Sequence, residues 1–459
     1  MSKSLRWLIA GACSLGFFAA AAWPQEEAPA DASGQPTVLT LEDCVTIALE
    51  HNPTILTSLQ DIESSRAGVD RQQASYYPLL DLTAAVGPGT GISNSLLSGT
   101  VGGGSGPDIR IEADATLDMT FYRTGRRQGV EQAKATLAST ELSHQDTIQR
   151  LVESVIVDYF AVLAYQELER VAEVGLEAAQ SHLHDVRIRI REGAAAEVDV
   201  YEADEDVAQA ELDLINARGN TRIGLAQMRY TLGIPPGAAF ELAPSDWGDQ
   251  EELPTLQGAL DLAAELRPDL GAARHSVRAR AYALEIADKQ DGPTFDVGGS
   301  YRYSVANWRN TSPYWAFEAA VSWPIFDGHE GKAAVTQARA SWMQSRAQLQ
   351  QITNQVVLEV ETALIDVDRA RQRMAATDAS YAAAEARLSA ARAKYREGVG
   401  ILLEVTDARS SYSQAAAAQV QARFDHRVAR AALRRVLGQI PLPMLEQETT
   451  MAEEAGADD

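Results

Sequence analysis

The chain has 459 residues, a formal charge of −24 and two cysteines. So acidic a balance argues against nucleic acid as a partner and against docking on anionic lipid. Beyond the N-terminal segment no run of about 20 apolar residues occurs, which excludes a membrane-spanning helix from the rest of the chain.

Residues 1–22 read as a secretory signal: Lys3 and Arg6, an apolar stretch through Leu8, Ile9, Leu15, Phe17 and Phe18, then small residues from Ala19 to Ala22. Cys13, after Ala10-Gly11-Ala12, leaves a lipid-anchor reading open. With the signal removed near Trp23 only Cys44 remains, so no intrachain disulfide can form. Residues 23–38, with Glu26, Glu27 and Asp31 set among Ala and Pro, read as a disordered linker, and residues 439–459 as an acidic disordered tail.

Between them the chain is duplicated. The segment TLEDCVTIALEHNP from Thr40 to Pro53 recurs as TLQGALDLAAELRP from Thr255 to Pro268, and the same spacing carries Pro78 to Pro293 and Asp81 to Asp296. Farther on the spacing shortens: Glu131–Ala135 matches Thr336–Ala340, Arg191-Glu192-Gly193 matches Arg396-Glu397-Gly398, and Leu232-Gly233 matches Leu437-Gly438. The first half therefore carries extra residues between Asp81 and Glu131, placed in a surface loop over the Gly-rich stretch Gly87 to Pro107. The repeats span 39–233 and 255–438, with 234–254 connecting them.

Each repeat opens with short helices and continues into a strand pair. In the first, strands are expected over 79–88 and 108–121. Leu80, Leu82, Ala84 and Val86 mark one; Ile109, Ile111, Ala113, Ala115, Leu117, Met119 and Phe121 alternate with polar residues in the other. In the second, strands are expected over 294–305 and 314–324 around a turn from Asn307 to Pro313, with Phe295, Val297, Tyr301 and Tyr303 apolar in one and Trp315, Phe317, Val321 and Trp323 in the other. Their length and aromatic ends are those of outer-membrane strands.

Two long helices then follow in each half, over 126–191 and 197–231, and over 329–396 and 402–437. A proline-free stretch of that length makes a helix of about 95 Å, and the stepping of Leu349, Ile352, Val356, Val360, Ala363 and Val367 by threes and fours predicts antiparallel coiled coils. Four strands cannot close a barrel, because single-chain barrels begin at about eight. The protomer must share one with copies of itself. Three copies supply a 12-stranded β-barrel continuous with an α-helical barrel, an α+β membrane protein with lipid outside and a water-filled lumen within.

No catalytic constellation accompanies this pattern, and the chain is not expected to be an enzyme or to carry a cofactor or metal. Gly102-Gly103-Gly104 lacks the Lys-Ser/Thr of a phosphate-binding loop, no HExxH pair occurs, and His182 and His184 point to different sides of a helix. Two acidic pairs do stand out: Asp199 and Glu202 just past Gly193, and Glu404 and Asp407 just past Gly398, each spaced i, i+3 on one helix face.

The sequence resembles the TolC-type outer-membrane efflux protein family from about Leu39 to Leu437. The resemblance is carried by the paired starts at Thr40 and Thr255, Pro53 and Pro268, WPIFDG from Trp323 to Gly328, and the turn segments REGAAAEVDVYEAD and REGVGILLEVTDA. It departs at Met119-Thr120-Phe121, where the second half has Pro324-Ile325-Phe326. The resemblance implies a homotrimer in the cell outer membrane with its tunnel in the periplasm, joined to a periplasmic adaptor (membrane fusion) protein and an inner-membrane RND or ABC transporter. It implies further that Gly193, Ala195, Gly398, Val399 and Gly400 form adaptor-docking tips, and that Asp199, Glu202, Tyr395, Glu404 and Asp407 form the periplasmic aperture. The expected function is the passive outer-membrane channel of a tripartite efflux pump; alternatives are the channel of a type I protein secretion system or, in a different class, a periplasmic coiled-coil adaptor or scaffold.

Overall fold

A computed structural model describes residues 37–88, 109–193, 196–245, 253–306 and 310–440. The signal, most of the Gly-rich stretch and most of the acidic tail lie outside the described residues. Their order along the chain is β1 (Thr37–Leu39), α1 (Leu41–His51), α2 (Pro53–Ala74), β2 (Leu79–Pro88), β3 (Ile109–Arg123), α3 (Arg126–Arg191), α4 (Val198–Leu232), β4 (Phe240–Leu242), α5 (Leu256–Leu266), α6 (Pro268–Asp288), β5 (Thr294–Ala306), β6 (Asn310–Ser322), α7 (Glu330–Arg396) and α8 (Leu402–Val436).

The duplicated helix starts have a common physical cause. Thr40 caps α1 through a reciprocal box: its hydroxyl accepts from Asp43 N–H at 3.2 Å, and the Asp43 carboxylate accepts from Thr40 N–H at 2.9 Å. Thr255 caps α5 by accepting from Gly258 N–H at 3.3 Å. Pro53 and Pro268 then occupy the first position of α2 and α6, where the missing N–H costs nothing. Between cap and proline the halves differ. Asn52 accepts from Thr54 N–H and donates to the Thr231 carbonyl, both at 2.8 Å, whereas Arg267 is buried in a fork on Asp269 and Glu359.

The four long strands form one antiparallel sheet in the order β2-β3-β5-β6. Its register stacks Leu80 on Leu117, Gly299 and Phe317, and Leu82 on Ala115, Tyr301 and Trp315, so one face is predominantly apolar. The other face pairs Thr83, Asp114, Arg302 and Tyr314, with the Arg302 guanidinium 2.6 Å from Asp114. A bulge between Thr120 and Tyr122 flips the alternation. Phe121, expected on the apolar row, is the extra residue, and Tyr122 pairs with Phe295 instead, their rings edge to face at 5.8 Å.

Three sequence expectations need correction. β6 begins at Asn310 rather than near 314, because Pro313 is not in the turn but opposite Tyr303 within the strand. β6 lies at the sheet edge, where a proline's missing N–H is tolerated. The linker does not reach residue 38: β1, from Thr37, pairs in parallel with β4 of the connecting segment. The tail likewise starts late, since Ile440 is buried in the core around Tyr159 and Met228.

The helices form two hairpins, α3 with α4 and α7 with α8. The 66-residue α3 and the 67-residue α7 each extend about 100 Å. Above, α3 packs against α2 and α6; below, against α4 and α8. One core, with Val155, Tyr159, Val162 and Leu232 fully enclosed, sits where α1, α3 and α4 meet, and a second around Val360 and Val367 joins α5, α7 and α8. Among the described residues no helix is long and apolar enough to cross a membrane.

Candidate functional site

The sheet alone can meet lipid. Leu82, Val86, Trp315, Phe317 and Val321 are all exposed on one face, with Phe317 80% accessible, and no other element covers them. An apolar face of this size, with no second apolar layer over it among the described residues, is the outer wall of a membrane barrel. The polar face, with its Arg302–Asp114 pair and the Thr120 hydroxyl donating to Asp296 at 2.7 Å, turns to the lumen.

At the far end the hairpins turn. Gly193 and Gly398 adopt left-handed φ of 72° and 74°, the conformation that ends α3 and α7. The Gly398 N–H donates to the Tyr395 carbonyl at 3.2 Å, and the Val399 and Gly400 N–H groups share the Lys394 carbonyl at 3.1 Å. Gly400 is closely packed, for a Cβ there would lie 3.0–3.2 Å from Lys394 and Tyr395. Ala195 lies outside the described residues. Val198, Tyr201, Val399, Ile401 and Leu403 are exposed, which makes both tips apolar as well as charged.

Just above each turn a small core repeats by duplication. Leu183, Val186 and Ala203 pack with Ile190 and Val200; Leu388, Ala391 and Ala408 pack with Tyr395 and the buried Val405. Those inward residues fix what faces out. Glu404 and Asp407, each one position before a buried residue of α8, are exposed, as is Glu202 on α4. Asp199 is half-buried and its carboxylate accepts from Ala196 N–H at 3.2 Å, closing the first turn.

Tyr395 is brought against the other hairpin. The Arg189 guanidinium lies 4.2 Å over its ring and donates to its carbonyl at 3.2 Å. Burial raises its phenol pKa, Arg189 pulls the other way, and Asp199 and Asp185 add to the rise. A second tie joins α8 to α4: Arg409 pairs with Asp206, their side chains 15% and 17% exposed, and the Thr406 hydroxyl donates to Asp206 at 3.4 Å. Sequence reasoning missed Arg189, Asp206, Thr406 and Arg409. A signal existed, because Arg409 falls at the duplicated position of Asp204, and opposite charges at equivalent places mark where halves interact rather than repeat.

The model of the outer membrane efflux protein family matches residues 45–234 and 259–439, taking in both repeats. Protein CyaE of Bordetella pertussis is 27% identical over 385 residues, covering 82% of this chain and 79% of that one. Cation efflux system protein CusC of Escherichia coli is 23% identical over 373 residues, 79% of each chain. The outer membrane channel CmeC of Campylobacter jejuni superposes with a TM-score of 0.76 at 16% identity, over 90% of this chain and 89% of that one. With a sheet that only lipid can cover, two hairpins ending in matched tips and a family match over most of its length, the chain belongs to the outer membrane efflux protein family, whose members are outer-membrane channels extending into the periplasm.

Proposed function

We propose that three copies of this chain form the passive export duct of a tripartite pump, taking small molecules from a periplasmic adaptor and an inner-membrane transporter of the RND or ABC type to the exterior. The observation that carries the reading is the four-stranded sheet with two unpaired edges, β2 and β6, on a long helical stem. Open edges are not tolerated in hydrocarbon, so the strands must be completed by other copies. The relative named for cation efflux supports export of small solutes over secretion of a polypeptide.

The hairpin ends are the proposed working parts. Gly193, Ala195, Gly398, Val399 and Gly400 shape the tips that dock the adaptor, for which exposed Val198, Tyr201, Val399 and Ile401 offer apolar contact. Glu202, Glu404 and Asp407 ring the aperture, with Asp199 and Tyr395 holding the turn and the hairpin contact that narrow it. Copied around a trimer, such a ring focuses negative potential in a constriction and draws cations.

Protein extracted from outer-membrane fractions and recorded in planar bilayers should give a cation-selective channel blocked by multivalent cations. Glu404→Gln with Asp407→Asn should weaken selectivity and block together. Unchanged selectivity would move the aperture elsewhere, and no channel at all would refute the duct.

A further inference from the structure

His182 lies on α3 among the residues that separate the two hairpins just above the tips. Its ring stands 5.9 Å from Tyr395 of α7, and its Nε2 is sealed from solvent with no hydrogen-bond partner among the described residues. Because that atom is enclosed within a single protomer, neither bulk water nor another copy reaches it while the hairpins stay together. An unmade bond of this kind is costly, and neighbouring contacts must offset it.

The groups around the imidazole explain why it stays unpartnered. Asp185 is on α3 itself, Asp206 comes from α4, Arg392 and Tyr395 from α7, and Arg409 from α8, with Glu385 and Tyr412 farther along the same groove. The Asp206 carboxylate is already taken by Arg409 and Thr406. A neutral ring fits this setting and a charged one does not, for two guanidinium groups would then face an imidazolium with little water to separate them. The duplicated position in the second half is Arg387, exposed on α7, so the repeat offers no second copy of the arrangement.

We infer that His182 is a protonation-sensitive catch between the two hairpins, compatible with their packing when neutral and parting them when charged. The consequence for flow rests on reading the tips as the aperture; the catch itself does not. Desolvation first and Arg409 next lower the His182 pKa in the packed state, outweighing Asp206 and Asp185. In separated hairpins the ring hydrates and returns toward its ordinary value of about 6.5. Packing is thus fully favoured above about pH 6.5 and weakens as the pH falls below it.

The test uses the full-length trimer in lipid with Cys44 replaced by serine and spin labels at the exposed caps Glu192 and Glu397. Tip-to-tip distance and single-channel conductance are read at about pH 7.5 and about pH 5.5, either side of the imidazole range. The expected result is a longer mean distance and higher conductance at the lower pH. In His182→Gln and His182→Phe both should stay at their neutral values, and His182→Lys should show the longer distance already at the higher pH. Distances that move while conductance does not would support the catch and overturn the aperture reading. A wild-type distance insensitive to pH, or His182→Gln moving as the wild type does, would overturn the catch.

Discussion

The Asp206–Arg409 pair is the tie whose loss should be felt most at the tip. Both side chains are more than four-fifths buried, and they join α4 of one hairpin to α8 of the other. Removing one partner of a fully buried pair costs about 3–5 kcal/mol, because the other charge is left without a counterion. Some solvent reaches both groups here, so we expect about 2–3 kcal/mol per protomer. At 1.4 kcal/mol per factor of ten, that shifts the balance toward parted hairpins by about 30- to 150-fold in each copy. Arg409→Gln and Asp206→Asn should each raise open-channel conductance in bilayers and lengthen the distance between labelled tips. The double variant has no stranded charge and should open less than the sum of the singles. If either single variant behaves as wild type, or the two effects add without coupling, the pair does not hold the hairpins together.

Two further predictions concern the barrel and the core. Phe317→Arg, on the apolar face near the middle of β6, should cost about 2–4 kcal/mol in each copy and deplete the protein from outer-membrane fractions, whereas Ala316→Arg, on the opposite face, should insert normally. Arg267→Met leaves Asp269 and Glu359 without the guanidinium that bonds them at 2.6 and 2.7 Å; the detergent-solubilised trimer should unfold at a lower temperature, by about 3 kcal/mol per chain, and adding Asp269→Asn and Glu359→Gln should recover part of the loss.

What could be read from the sequence follows from which forces leave a periodic trace. Lipid on one side and water on the other impose strict alternation, so Leu82, Ala115, Tyr301 and Trp315 were each visible as apolar positions of their own strands, while the row they form came only with the pairing. The bulge at Phe121 was not, because one inserted residue changes the face without changing composition. Pro313 looked like a turn because its place at a sheet edge is a fact of topology. The three-residue pairing of β1 with β4 joins chain segments two hundred residues apart and is too short to show a period. At the tips the turn glycines and acidic pairs stood out because they are duplicated. The ties through Arg189, Asp206 and Arg409 did not, since they arise where the two halves differ.

The same four-element strip recurs at three levels, and this is what turns a duplicated chain into a tube. The sheet runs β2-β3-β5-β6, the upper helices α2-α3-α6-α7, and the lower helices α4-α3-α8-α7. At every level one free edge belongs to the first repeat and the other to the second. Exposed Ile215 and Ile223 lie on α4, and exposed Leu358 and Ile365 on α7, so the helical edges carry apolar side chains awaiting cover. A second-repeat edge therefore meets the first-repeat edge of the next copy throughout, a head-to-tail contact that closes as a ring. Twelve strands at about 4.8 Å spacing and 40° tilt give a barrel about 24 Å across. Twelve helices about 10 Å apart give a tube about 38 Å across between axes. The helical tube is the wider of the two and cannot narrow by losing helices. It can narrow at the tips only if the hairpins of each copy lean inward against one another, and that requires α3 and α4 to shift against α7 and α8. Arg189 on Tyr395, Arg409 on Asp206 and His182 all lie on that surface between the hairpins, which is why the proposed gate is sought there and not in the barrel.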